Sequence, residues 1–185
     1  MADSNITKRA LAAALKELMI DTPFTKITIE DICSQCGMSR KSFYYHFKDK
    51  FDLVNWIFES EFVAPMYSHI SPDALLAEQR WDIAEALCKY FYDNKTFYSK
   101  VFKIKGQNCF TEYFKDLLTP LMYLRAKQIS DDEQLVTFCV DFFIDAALCA
   151  TERWIVEKNS IPPERFVELL RACIKPMIAF PEQQF

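Results

Sequence analysis

Apolar residues recur at three- and four-residue spacing along nearly the whole chain, and no run shows the strict alternation of a half-buried strand. The pattern predicts an all-α protein. A first helix is expected over about Thr7 to Met19, where Ala10, Leu11, Ala14, Leu15 and Leu18 form one stripe. Asp21-Thr22-Pro23 ends it, and Phe24 and Ile27 can anchor the next loop to the same small core. Two short helices then flank Gly37, one of only two glycines in 185 residues. Thr28 and Asp31 have the hydroxyl-x-x-acid spacing of a reciprocal helix start, and Ser39 stands where it can cap the second short helix. Gly37 offers the turn a positive φ and room for close packing.

Asp49 and Asp52 signal another start, before FDLVNWIFESEF, with Pro65 expected to stop or bend that helix. Ser71-Pro72-Asp73 opens a helix reaching about Tyr92, and a short one follows to about Ile104. The next spans about Cys109 to Lys127, with Pro120 kinking or dividing it. A long helix capped by Ser130, with Glu133 three residues on, runs to about Lys158. Pro162-Pro163-Glu164 opens the last, which ends near Phe180 with Pro176 bending or ending it. The long helix is apolar on more than one side: Phe138, Phe142, Ala146 and Cys149 form one stripe, while Val140, Ile144, Leu148 and Trp154 lie elsewhere around it. Such a helix needs partners on two sides. Either it is the buried centre of a monomer, or one side packs within the chain and the other on a second copy.

The second short helix separates two faces. Phe43, His46 and Phe47 share the packing side, whereas Arg40, Lys41, Tyr44, Tyr45 and Lys48 point broadly away. Guanidinium and ammonium groups at a helix start suit guanine edges in the major groove, and phenols reach phosphate oxygens; the bland alternative is a solvated charged face. Net charge is −4, but residues 39–50 hold four basic residues against one acidic, so positive charge collects on the element that would meet DNA.

Gly37-Met38-Ser39, Ser42-Phe43-Tyr44-Tyr45-His46-Phe47 and Lys48-Asp49-Lys50 together resemble the helix-turn-helix signature of the TetR family of transcriptional regulators. The resemblance is strong over about residues 6 to 60 and rests on helix pattern and length beyond. It implies a helix-turn-helix DNA-binding head, residues 1–50, and a helical effector-binding and dimerisation domain, residues 51–185. By position, Ser42, Tyr44, His46, Lys50 and Thr28 correspond to phosphate contacts, and Ser39, Arg40, Lys41 and Tyr45 to residues facing bases. His46 has a second reading, as a packing histidine beside Phe43 and Phe47. The partners implied are a double-stranded operator, a second copy of the chain and a small-molecule effector. The dimer interface implied lies in the last two helices, with Phe142, Trp154, Phe166, Leu170, Cys173 and Met177 as its candidates.

The aromatic middle of the chain supplies the candidate effector pocket: Tyr90, Phe91, Tyr98, Phe102, Phe110, Tyr113, Phe114, Tyr123, Phe143 and Ala147. Any one of these rings serves a core more readily than a pocket, but the resemblance implies that the group encloses a cavity. Asp141, Asp145 and Glu152 fall on one side of the long helix, either as a solvated stripe or as an anionic wall for a cationic ligand. A narrower likeness, in FYYHFKDKFDLVNWIF and in Trp154-Ile155 with Pro163-Glu164, is to the TetR-like group that includes the activator of dihydroxyacetone kinase genes. In that group a protein coregulator can deliver the signal, and a filled core with an exposed apolar patch would favour that alternative.

Other classes find little support. Cys33-Ser-Gln-Cys36 has no second C-x-x-C to complete a zinc site, and seven scattered cysteines fit reduced buried thiols, so no metal or cofactor is expected. A phosphate loop, nucleophile elbow or paired metal-ligand repeat would mark an enzyme, and the chain has none. With no uninterrupted apolar run near about eighteen residues and no signal-like start, the expectation is a cytoplasmic protein without a membrane span.

Overall fold

The computed structural model describes residues 2–69 and 80–178, with side chains over 4–68 and 81–173. The chain is helical throughout its described elements, as the periodicity predicts. Helix α1 (Ala2–Asp21) is longer at both ends than its apolar stripe suggests, and it buries Leu11, Ala14, Leu15 and Met19. A single 3₁₀ turn, Phe24–Lys26, leads to α2 (Ile29–Gln35) and α3 (Arg40–His46). Phe24, Ile27, Ile32, Phe43 and Phe47 close a small core against α1, so the loop anchors and the packing face of α3 lie where the sequence places them.

Helix α4 (Lys50–Phe58) starts at Asp49, whose carboxylate accepts the Phe51 and Asp52 N–H groups. It does not end at Pro65. A π-helical turn, Glu59–Val63, is followed directly by α5 (Ala64–His69). The proline ring would press on the carbonyl four residues back in a regular helix; the widened turn just ahead of Pro65 lets the helix continue. This continuous rod joins head to body: Leu53, Val54 and Ile57 are buried beside the head, and Phe58 enters the body's aromatic core.

The body contains α6 (Arg80–Asp93), α7 (Lys95–Val101), α8 (Phe110–Lys127), α9 (Glu133–Val156) and α10 (Pro163–Ile178). The start expected at Ser71-Pro72-Asp73 lies outside the described residues. Pro120 and Pro176 sit inside α8 and α10 without dividing them. The cap of α9 is Asp132, whose carboxylate accepts the Gln134 and Leu135 N–H groups; Ser130 instead accepts the Asp132 N–H. Helix α9 packs on α8 and α7, and α10 on α6.

Within α9, Val136, Val140, Ile144, Leu148, Thr151 and Ile155 face inward, while Leu135, Phe138, Phe142, Ala146 and Cys149 are exposed. The helix is long and apolar enough by length and composition to cross a membrane, since exposed Leu135, Phe138 and Phe142 add to its buried apolar residues. A helix buried on every side is therefore not what forms; among the described residues one apolar face of α9 remains exposed in the single chain. Head and body also meet at Lys100 of α7, whose ammonium donates to the Met19 and Ile20 carbonyls at the end of α1, a helix with no basic residue in its own last turn.

Candidate DNA-reading site

The site is built from two capped helix starts and one turn. Thr28 Oγ1 accepts the Asp31 N–H at 3.1 Å, and the Asp31 carboxylate accepts the Thr28 N–H at 2.8 Å and its hydroxyl at 2.7 Å. Those donors hold the Asp31 carboxyl below its ordinary value. At the end of α2 the chain reverses through Gly37, with φ of 67°, and the Met38 N–H returns to the Cys33 carbonyl at 2.8 Å. A Cβ built on Gly37 would meet no atom within 4 Å. The turn therefore needs glycine for its backbone angle alone, and the expected close approach is not present. Ser39 then accepts the Ser42 N–H at 3.1 Å and starts α3.

This geometry turns Phe43 into the core and presents Arg40, Lys41, Tyr44 and Tyr45 outward, with Tyr45 83% exposed. Ser39, Lys41, Ser42, Tyr44 and Tyr45 line one open hollow on this face. The Tyr44 hydroxyl holds the Arg40 guanidinium above its ordinary value, and Glu30 of α2 lies 3.8 Å from Arg40 Nε. Glu30 is absent from the sequence-based candidates because only the crossing of α2 and α3 brings it there. The arrangement steadies a guanidinium on the outer face of a helix that can enter a major groove.

Three candidates also have partners within the chain. Lys50, expected at a phosphate, donates to the Phe24 and Ile27 carbonyls at 2.7 Å each and sits 4.4 Å from the centre of the Phe24 ring. Burial pulls its ammonium below the ordinary lysine value. It ties the start of α4 to the loop before α2, and two of its three N–H donors are spent inward. Thr28 remains exposed, but its hydroxyl proton is committed to Asp31. His46 is half-buried, with its ring 4.8 Å from that of Tyr45 and 6.3 Å from that of Phe47, at the edge of the packed side. In Cys33-Ser-Gln-Cys36, Cys33 is a core residue and Cys36 donates to the Ile32 carbonyl; burial pushes both thiols up, as suits structural cysteines.

In the body, the candidate pocket residues pack on each other. Phe91 lies 4.8 Å from Tyr98, 5.3 Å from Phe102 and 5.7 Å from Phe114, centre to centre, and Phe58 of α4 stacks on Phe91 at 5.7 Å. Phe110 continues the stack to Phe114 and Tyr113. Among the described residues these rings pack on one another as one buried cluster. Tyr123 bonds to Glu133 at the end of α8, Phe143 meets Phe142, and Ala147 is half-buried on α9, so these three stand apart from the ring stack. Asp141 and Asp145 are paired with Lys115, and Glu152 with Lys105, which makes that side of α9 a solvated ion-pair stripe.

Of the candidate interface residues, Trp154 and Phe166 are spent inside the chain. Their rings stack at 4.4 Å, and Trp154 Nε1 donates to the Ile161 carbonyl at 2.8 Å. Leu170 is half-buried against the core, Phe142 and Cys173 are exposed, and the Met177 side chain lies outside the described ones.

Residues 10–57 match the family model of bacterial regulatory proteins of the tetR family, and residues 79–176 match a transcriptional regulator C-terminal region of the same group. The chain is 28% identical, over 95% of its length and 94% of the relative, to the HTH-type dhaKLM operon transcriptional activator DhaS of Lactococcus lactis. A solved structure of a dihydroxyacetone kinase operon activator DhaS superposes with a TM-score of 0.62 at 26% identity, covering 92% of this chain and 97% of that one. A TetR transcriptional regulator from Streptococcus agalactiae shares the fold, with a TM-score of 0.66 at 18% identity over 94% of this chain and 96% of that one. With a capped, glycine-turned reading helix at one end and matches that together span head and body, the chain belongs to the TetR family and is a DNA-binding transcriptional regulator.

Proposed function

We propose that the chain works as a homodimeric activator of a dihydroxyacetone kinase operon, acting in the cytoplasm and taking its signal from a protein coregulator. Two copies of α3 would enter successive major grooves of a near-palindromic duplex, about 34–36 Å apart. The single observation that supports protein control over metabolite control is the mutual packing of the body's rings, in which Phe58, Phe91, Phe110 and Phe114 contact one another. The apolar outer stripe of α9 supports self-association. A metabolite reading has one observation of its own, an open cleft of about 590 Å3 between α1 and the rod of α4 and its π turn, lined by Arg9, Lys16, Trp56 and Glu59. The test is operator occupancy measured with purified metabolites and with candidate proteins encoded beside the operator. Release or recruitment by a metabolite alone removes the coregulator reading.

Two substitutions separate base reading from scaffolding in the head. Arg40→Ala is expected to relax preference at particular base pairs by roughly 1–3 kcal/mol while sparing affinity for random duplex. Equal loss on both DNAs assigns Arg40 to phosphate. Lys50→Met removes an ammonium from two carbonyls and is expected to cost about 1–3 kcal/mol of stability. Its effect on the salt dependence of DNA binding should be negligible; a slope reduced by one phosphate contact returns Lys50 to the interface.

A further inference from the structure

The π-helical turn Glu59–Val63 lies at the joint between head and body, and one carboxylate in it holds both. Lys16 of α1 donates to Glu61 at 2.7 Å and 2.6 Å, one bond to each oxygen. From the body, the Tyr90 hydroxyl of α6 donates to Glu61 Oε2 at 2.9 Å. Because that proton is committed, the 2.8 Å contact between Tyr90 and Tyr98 has the Tyr98 hydroxyl donating to the Tyr90 oxygen. Tyr98 is fully buried in the aromatic core, and burial pushes its phenol well above the ordinary value. An ordered chain of donors thus runs from the middle of the body, through Glu61, to the first helix of the head.

We infer that Glu61 is a positioning residue for DNA reading, through which the body sets the angle of the head. This rests on the operator-binding reading above. A lone exposed ion pair would contribute little, but here both carboxylate oxygens and a phenol are engaged, and the Lys16 ammonium also lies 5.6 Å from the Phe97 ring of α7. Tilting α1 against α6 must lengthen one of these bonds, and repacking around Tyr98 removes the acceptor its hydroxyl uses. Glu61 lies within the π turn, and such turns recur at functional positions in helices.

The experiment uses the full-length chain, with an operator recovered by the parent from random duplexes, and reads the ratio of operator to random-duplex affinity together with the thermal midpoint. Failure of the parent to select any sequence removes the DNA-reading proposal itself. Lys16→Glu and Glu61→Lys are each expected to move the ratio about 5- to 150-fold, the span of coupling between sites. The double variant, with the pair reversed, should return it to within about twofold of the parent, whereas independent effects would multiply. Tyr90→Phe keeps the ring and removes the body-side donor, so it should move the ratio in the same direction even where a charge reversal fails to fold. An unchanged ratio in Tyr90→Phe, or a double variant equal to the product of the singles, overturns the inference.

Discussion

Phe142→Glu is expected to yield a folded monomer that no longer occupies its operator. Phe142 is 49% exposed in the single chain and stacks on Phe138, itself 68% exposed, so the free chain gives up little packing when the ring is replaced. In a dimer the same position would carry a carboxylate into an apolar bundle with no cation described beside it, and burial of an unpaired charge is prohibitive. Two heads joined in one dimer also bind as a linked pair, and separating them forfeits roughly 100- to 10,000-fold in avidity. Sedimentation velocity and an operator titration on the same preparation check both halves. A dimer that persists places the contact between copies elsewhere. Leu170 is a poorer probe, because it packs against its own core and a charge there would confound dissociation with unfolding.

The second large effect belongs to the aromatic core. Phe91→Ala removes a ring with no solvent exposure that touches Phe58, Tyr98, Phe102, Phe110 and Phe114. Rings on all sides leave the hole poorly able to collapse, so the cost should reach about 3–5 kcal/mol. For a chain of this size that lowers the melting midpoint by about 6–20 °C. A loss below about 1 kcal/mol would mean that the site is loosely packed in solution and would revive a ligand cavity there. The same variant offers a direct check, since a created apolar cavity can bind a small aromatic molecule and regain stability.

Local chemistry was the legible part of this chain. Thr28 with Asp31, Gly37 and Ser39 act within a few residues of themselves, so both caps and the positive φ at Gly37 can be read from spacing, and the structure reproduces these. Roles set by distant partners could not be read so. Lys50 resembles a phosphate-binding lysine until the path of the Phe24–Ile27 loop brings two carbonyls to it. Trp154 and Phe142 lie on one helix that is apolar on more than one side, and only the packing of α9 on α8 decides which faces out. Aromatic content likewise cannot distinguish rings that line a space from rings that fill it. Lys16 and Glu61 stand 45 positions apart, and the π turn that aligns them interrupts the period on which helix reading depends.

The lysine that closes α1 has a consequence for how such regulators can recombine. The last carbonyls of α1, at Met19 and Ile20, find their donor on α7 and not in the head. A head grafted onto a foreign body would bring acceptors without the cation that serves them, and the end of its first helix would have only water to turn to. Exchange of reading heads between lineages then asks for a matching cation on the receiving side, besides partners for Lys16, and the segment that looks most modular in sequence is only conditionally portable.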